Sequence, residues 1–376
     1  MAEKIMREFL FAQDDMADVD SIVEKFAEVG AAATYKDFGA HGIIEKVELD
    51  NYKEKENKVK EACVAFAAGK AGLNCPKTAT EVAYALDNGT FRDILNTIMV
   101  RTIGTMMVRY VSPQLDALVE VQPVEVGASY TYEIDTKALP VAQRATYGSN
   151  VTMVPSYAIG SKTLKPIPYS IGISLDYIRI IANGYDWGRA IARVYAGMLF
   201  AQYNKVVSVL FNTNALNGTP FYNATFSGSS YVQLASDIKM LNGGAGVTAY
   251  GTLVAWQTIS ALATQGGFTT RDEYIRNAFL QKIFGVDSMV LDQITNYAAP
   301  FTTANAASLR AIPDNLIVLI SASDKPVKLA RENYIRVIET PANDNTLNRN
   351  EYSFFQSFDA DIATASPYGV QSTQAG

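Results

Sequence analysis

A single histidine, His41, and two cysteines, Cys63 and Cys75, are all that 376 residues offer of the side chains that most often carry catalysis or bind transition metals. One histidine excludes any multi-histidine metal site within the chain and leaves a histidine-dependent triad only one residue to use. His41 sits in a Gly-bounded stretch and reads as a surface or turn residue. The cysteines have no C-x-x-C spacing, which argues against a zinc site or a disulfide framework and makes a reducing compartment the default. A basic excess is also missing. With 32 Lys and Arg against 38 Asp and Glu, the net charge of −6 argues against broad nucleic-acid binding through phosphates, leaving only a local patch open.

No apolar run approaches the length of a membrane span, and the acidic start MAEKIMREFLFAQDDMAD lacks the plain apolar core of a secretory signal. A cytoplasmic site of synthesis and use is expected, and the Asn88 and Asn217 sequons then carry no meaning as glycosylation acceptors. Phosphate-loop, G-x-S-x-G and EF-hand patterns are absent. The run Gly244-Ala245-Gly246-Val247-Thr248-Ala249 matches a relaxed dinucleotide fingerprint, but it follows a helical pattern instead of a strand and reads as a flexible loop. Catalytic, cofactor-binding and metal-binding residues are therefore assigned to none.

What is present is a folded-protein composition, 48% hydrophobic and 19% charged, organised around the stretch from Ile167 to Asn212. Ile167, Tyr169, Ile171, Ile173 and Leu175 alternate with small or polar residues, the period of a strand with one buried face. After Asn183-Gly184, with Asp186 placed as a cap, a helix is predicted to Phe211, about 40 Å long at 1.5 Å per residue. Trp187, Ile191, Val194, Tyr195, Met198, Val206, Val209 and Leu210 form one apolar face and Phe200, Tyr203, Val207 and Phe211 a second, so this spine must be covered from more than one side.

Before the spine, helices are predicted at Met1–Gln13, Val19–Ala33 and Asn51–Gly69, read as an arm or accessory element, with residues 51–58 as a solvated face. Thr78 to Glu81 has capping-box spacing, and Thr90 with Asp93 marks a weaker helix start. The stripe Phe91, Ile94, Leu95, Ile98, Met99, Ile103, Met106, Met107, Tyr110 is an amphipathic helix, read as a packing face over a partner groove. Strands follow over Leu118–Val126 and Tyr130–Ile134, with Ile167–Leu175 expected to return against them and Thr136–Lys165 projecting as a long hairpin. Lys137, Lys162 and Lys165 on that hairpin read as exposed lysines, with cross-linking or salt bridging as alternatives.

Beyond the spine, helices are predicted at Leu234–Leu241, Thr258–Thr264 and Glu273–Phe284, and strands at Thr252–Trp256, Ser288–Asp292 and Leu316–Ser321. An antiparallel sheet follows through Val327–Ile338, Tyr352–Phe358 and Asp361–Thr364, with a polar turn at 343–350 and a tail at Gln371–Gly376. Asp359 and Asp361 share a strand face, and the turn from Asp344 to Asn350 offers oxygens; either set is an ion-site candidate that falls short of the required ligand count.

LVEVQPVEVGASYTYEID at Leu118–Asp135, IPYSIGISLDYIRI at Ile167–Ile180, the spine and LIVLISASDKPVKLARENYIRVIE at Leu316–Glu339 together resemble the major capsid proteins of tailed bacteriophages, the Hong Kong 97-type fold that encapsulin shells share. The resemblance implies an α+β fold with a long spine helix, an extended β-hairpin loop, a peripheral antiparallel sheet and an α/β axial domain. It divides the chain into an N-terminal helical arm (1–117), a peripheral domain (118–212) with its loop at about 127–168 and spine at about 185–212, an axial domain (213–325), and a return to peripheral strands with a tail (326–376). Many family members lose an N-terminal scaffolding segment to a protease; a sequence starting at Met1 leads to the expectation that these helices stay in the shell. The function implied is structural, not enzymatic: self-assembly into pentamers and hexamers of an icosahedral shell around double-stranded DNA, in a virion built in the bacterial cytoplasm. Portal, scaffolding and decoration proteins are the implied partners, with no membrane and no cofactor. The alternatives are an encapsulin-like compartment and an enzyme with an unrecognised carboxylate pair, such as a glycosidase.

Overall fold

The computed structural model describes residues 13–38, 50–109, 113–134, 160–175, 187–263, 281–294, 309–341, 350–364 and 366–374. His41, Lys137, Asp186, most of the projecting hairpin, the start of the predicted Glu273–Phe284 helix and the turn at 343–349 lie outside them. Five helices open the described chain: α1 (Gln13–Phe38), α2 (Tyr52–Ala71), α3 (Ala79–Asp87), α4 (Gly89–Arg109) and α5 (Pro113–Leu118). The capping box forms as spaced, with the Thr78 hydroxyl accepting from the Glu81 amide and the Glu81 carboxylate accepting from the Thr78 amide, both at 3.3 Å. At α4 the cap is Asn88, not Thr90: its side-chain oxygen accepts from the amides of Thr90 and Phe91.

These helices form a layer on their own spine, not a free arm. Val19, Val23, Phe26 and Val29 of α1 are buried in one core with Phe91, Ile94, Ile98 and Met106 of α4 and with Ile191 and Tyr195 of the spine. The Met99 and Met106 side chains are consumed by that core, so the methionine stripe is packing. Arg101 pairs with Asp20 and Arg189 with Asp37, tying α4 and the spine to α1.

The first sheet is built around one long strand. Strands β1 (Val119–Val124), β2 (Tyr130–Ile134), β3 (Gly160–Leu164) and β4 (Ile167–Leu175) precede the spine, α6 (Trp187–Leu210). Helix α7 (Thr213–Leu216) and strand β5 (Tyr222–Asn223) follow, then α8 (Gly228–Leu241), β6 (Val247–Thr252), α9 (Leu253–Ala263), β7 (Lys282–Ile283), β8 (Val286–Leu291), β9 (Leu316–Ser321), β10 (Val327–Glu332), β11 (Arg336–Pro341), β12 (Asn350–Ile362) and β13 (Gly369–Ser372). Strand β12 pairs antiparallel with β4 along one edge and with β11 and then β10 along the other; β1 adds parallel to β10. The return of β4 against β2 expected from the sequence is not what forms: β2 pairs with β3, inside the predicted loop, and β4 pairs with a strand some 180 positions later.

Alternation along β12 puts Tyr352, Phe354, Gln356, Phe358 and Ala360 on a buried face against α6. Helix α6 is covered nearly all round: of residues 188–211, only Arg189, Arg193 and Ser208 are exposed. Helix α1 takes one side and β12 with β4 the other, which accounts for the two apolar faces. Gly197 is where β4 comes closest; a Cβ there would lie 2.7 Å from Ile171 Cδ1. A buried polar contact crosses the interface: Gln202 Nε2 donates to Gln356 Oε1 at 2.9 Å, both residues buried.

The second sheet runs β5-β13-β9-β6-β8-β7. Its β13 runs into the predicted tail at Gln371, and Val370, Gln371 and Ser372 are buried. Gln371 is affordable there because its amide reaches Thr225 O and accepts from Asn223. The strand predicted at Thr252–Trp256 is instead the start of α9, with the Thr252 hydroxyl accepting from the Ala255 amide. Residues Lys282–Ile283, placed by the sequence in a helix, form β7. Strand β9 is buried on both faces: Ile317 and Leu319 join Trp256, Leu234 and Ile238 beneath α8 and α9, while Leu316, Val318 and Ile320 join the spine core.

Replacing Met198 by Lys buries an unpartnered charge and should cost several kcal/mol, enough to remove soluble folded protein. Gln202→Leu alone should cost about 1–3 kcal/mol by orphaning Gln356, with much of that recovered in the Gln202→Leu/Gln356→Leu double variant. Soluble yield reads the first effect, and denaturant titration of the Gln202→Leu and double variants reads the second.

Candidate functional site

The side chains that carry chemistry are not gathered into a reactive centre among the described residues. No group of three His, Cys, Asp or Glu side chains there is placed to hold a metal ion. Cys63 is buried and burial pushes its thiol pKa far up; Cys75 is exposed, in a surface concavity of about 490 Å³ lined by Pro76, Lys77, Glu81 and Tyr84 among others. Asp359 and Asp361 do share a face, but each meets a lysine: Lys205 Nζ lies 3.1 Å from Asp359 and Lys162 Nζ 2.8 Å from Asp361. Of the hairpin lysines, Lys162 is thus an ion-pair partner, and Lys165 is exposed. The Gly244–Ala249 run leads from α8 into β6, with Gly243 and Gly244 at positive φ closing the helix, the reverse of the strand-to-helix order a dinucleotide loop needs. No described helix is long and apolar enough to cross a membrane.

What the fold does build is an anchored hairpin base and a set of exposed apolar groups. The β2–β3 hairpin is rooted on the outer face of the first sheet, where Tyr132 and Leu164 pack with Val124, Ala330 and Ala363. Two polar ties aim it, the Lys162–Asp361 pair and the Gly127 amide donating to buried Glu332 at 2.9 Å, while the Thr131 and Thr163 hydroxyls, 2.9 Å apart, join its own two strands. On the second sheet's unit, Val232, Met240, Leu253, Val254, Phe284 and Met289 are exposed. Phe284 holds φ at 49° in the β7–β8 turn with its ring over Gly228, so an aromatic is kept half in solvent in a strained conformation.

Two linkers between the sheets are bound by one carboxylate. Asp324, between β9 and β10, accepts from Lys328 Nζ at 2.7 Å and from the hydroxyls of Thr364 and Ser366 between β12 and β13. Lys328, 6% exposed at its side chain, also reaches Glu120 of β1 at 2.5 Å. Burial works against its charge, yet the hydrogen bonds and charges of Asp324 and Glu120 outweigh it and hold the ammonium pKa above the usual lysine value.

Residues 19–371 match the family model described as "SPbeta prophage-derived putative capsid protein YonB". The chain belongs to this family. No curated protein matches it. Among solved structures, it is similar to a phage-related protein from Bordetella bronchiseptica RB50 (14% identity, 72% of this chain and 95% of the other, TM-score 0.46). It is also similar to the satellite phage P4 procapsid (7%, 75% and 91%, 0.45) and to the capsid of a native GTA particle (14%, 70% and 90%, 0.43).

In this capsid protein, three residues that the sequence pattern does not reveal tie distant elements together. Glu56, placed in a solvated run, is buried, and its carboxylate accepts from the Gly188 amide at the start of α6, at 3.2 Å, where the helix dipole favours a negative charge. Asp324 and Lys328 stand four apart in Asp324-Lys325-Pro326-Val327-Lys328, an ordinary-looking loop; no pattern shows that a strand 200 positions earlier supplies Glu120.

Lys328→Met should lower the melting temperature at pH 7–8 because it leaves Asp324 and Glu120 without their cation. Since the folded pKa is raised, the lysine's stabilisation is complete below the unfolded value of about 10.4 and fades as pH rises through the folded one. Melts of wild type and variant should therefore converge above that range; a constant gap would show that the loss is packing alone.

Proposed function

We propose that this capsid protein is the major capsid protein of a tailed bacteriophage or prophage, with the Hong Kong 97-type fold, assembling as pentamers and hexamers into an icosahedral shell around double-stranded DNA. The family match over residues 19–371 carries this reading. The two sheets support a division into a peripheral unit and an axial unit at 213–325, and the pairing of β13 with β5 and β9 argues for counting β13 with the latter. The exposed apolar side chains of the second unit suit ring closure around symmetry axes, and the anchored hairpin suits reaching over a neighbour. The protein acts structurally, without a catalytic step. The virion is its site of action and the bacterial cytoplasm its site of assembly, with portal, scaffolding and decoration proteins as further partners. With net charge −6, contact with packaged DNA is non-specific and local. A prophage-derived family favours this over a cargo-holding compartment.

Negative-stain microscopy of the purified, expressed chain should show closed shells of uniform diameter. A protein that stays monomeric under all assembly conditions, with its hairpin folded onto its own chain, would contradict the proposal.

A further inference from the structure

The edges of the two sheets are not alike. The free edge of β1 carries Glu120 and Pro123, β11 carries Arg336, Glu339 and Pro341, and β5 and β7 are two residues long. Charge, proline and shortness are the usual ways an edge is kept from pairing. Strand β4 is nine residues, Ile-Pro-Tyr-Ser-Ile-Gly-Ile-Ser-Leu, with no charge, and among the described residues β12 is the strand it pairs with.

The direction of its amides follows from two observations. Pro168 has no N–H to give and pairs opposite Ser357 inside a continuous register, so the even positions are those facing away from β12. On β12 itself, the Ala363 amide donates to Pro326 O, on the β10 side, so odd β12 residues face β10 and β11 and even ones face β4. The even β12 residues stand opposite the odd residues of β4. Both observations leave the N–H groups of Ser170, Gly172 and Ser174 on the open edge. They belong to the smallest residues of the strand, so a second backbone can approach them closely.

The partner is chosen by self-complementarity. An antiparallel copy with Gly172 opposite Gly172 places Ser170 opposite Ser174, Ile171 opposite Ile173 and Tyr169 opposite Leu175. Small residues meet small ones, apolar residues meet apolar ones, and no like charges are opposed. Ile171 and Tyr169, half-buried in the single chain, would gain cover. We propose that β4 pairs antiparallel with β4 of a second copy about a two-fold axis centred on Gly172, joining two first sheets into one continuous sheet across a subunit boundary. This rests on the shell-forming reading, which supplies the second copy.

Hydrogen exchange on wild-type protein, free and in shells assembled from the purified chain alone, reads the edge directly. The Ser170, Gly172 and Ser174 amides should exchange fast in the free subunit and slow at least tenfold in shells. Equal rates in both states would overturn the proposal, whether slow because this chain already covers the edge or fast because the edge stays open. Protection that needs another virion protein would overturn it too. Geometry is read by Gly172→Cys in a Cys75→Ser background: opposed residues in a hydrogen-bonded antiparallel pair lie about 5.5 Å apart at Cα, within disulfide reach. Mild oxidation of shells should give covalent dimers, while Ser170→Cys should cross-link only when mixed with Ser174→Cys. Shells that form normally without the Gly172→Cys dimer would sink the pairing and leave the capsid reading intact; no assembly at all, with β4 amides open, would sink both.

Discussion

Burial of the 24-residue spine on nearly every side is the constraint on which the structure depends. A helix so apolar around its circumference has no stable place at a surface, so the chain must supply a wall on each side of it. One wall is α1, backed by α2 and α4, and the other is β12 with β4. Both walls share the spine's core: Phe26 of α1 and Phe354 and Phe358 of β12 are buried in one cluster with Tyr195 and Met198 of the spine. Spine, helical layer and sheet therefore form as one unit from segments more than 300 positions apart.

Strand β9 carries that order into the second unit. With alternate side chains in two cores, it cannot shift without disturbing both, and the Asp324 junction binds the two linkers that leave and re-enter beside it. The angle between the sheets is thus held by apolar packing and by a charged knot. A shell protein has use for such a joint, because curvature of a closed assembly is set by the angle between the parts of each subunit.

Much of this was legible where local pattern and burial coincide. The spine and β9 follow from residue spacing, since each is dominated by one or two faces of large apolar groups, whereas β12 reads from the sequence as two strands, Tyr352–Phe358 and Asp361–Thr364, and forms as one. Partner choice was not legible. Ile167–Leu175 shows a buried face but not that Phe354 and Phe358 share it, and Gly160–Leu164 was taken for loop because Leu164 is its one apolar anchor. Strand β13 is not legible because a glycine and a glutamine in a four-residue run carry no strand pattern; Gly369 is there because a Cβ would lie 2.9 Å from Leu234 and Ile238, and Gln371 because Asn223 and Thr225 satisfy it. Glu56 and Lys328 were unreadable for a similar reason. Charges are assigned to solvent unless a partner is known, and their partners come from 132 and 208 positions away. The ion-site candidates fared likewise: Asp359 and Asp361 share a face as read, but the lysines that neutralise them stand on α6 and β3.

The central claim is that each copy is a self-contained body, its helical layer packed on its own spine, that meets its neighbours through margins. A reconstruction of the assembled particle at side-chain resolution tests it most directly. The account predicts density connecting α1 to the spine of the same copy, with Arg189 against that copy's Asp37, and intersubunit contacts confined to the hairpin, the β4 edge and the second unit. Helices α1 to α4 lifted from their own spine and seated on an adjacent copy would contradict it.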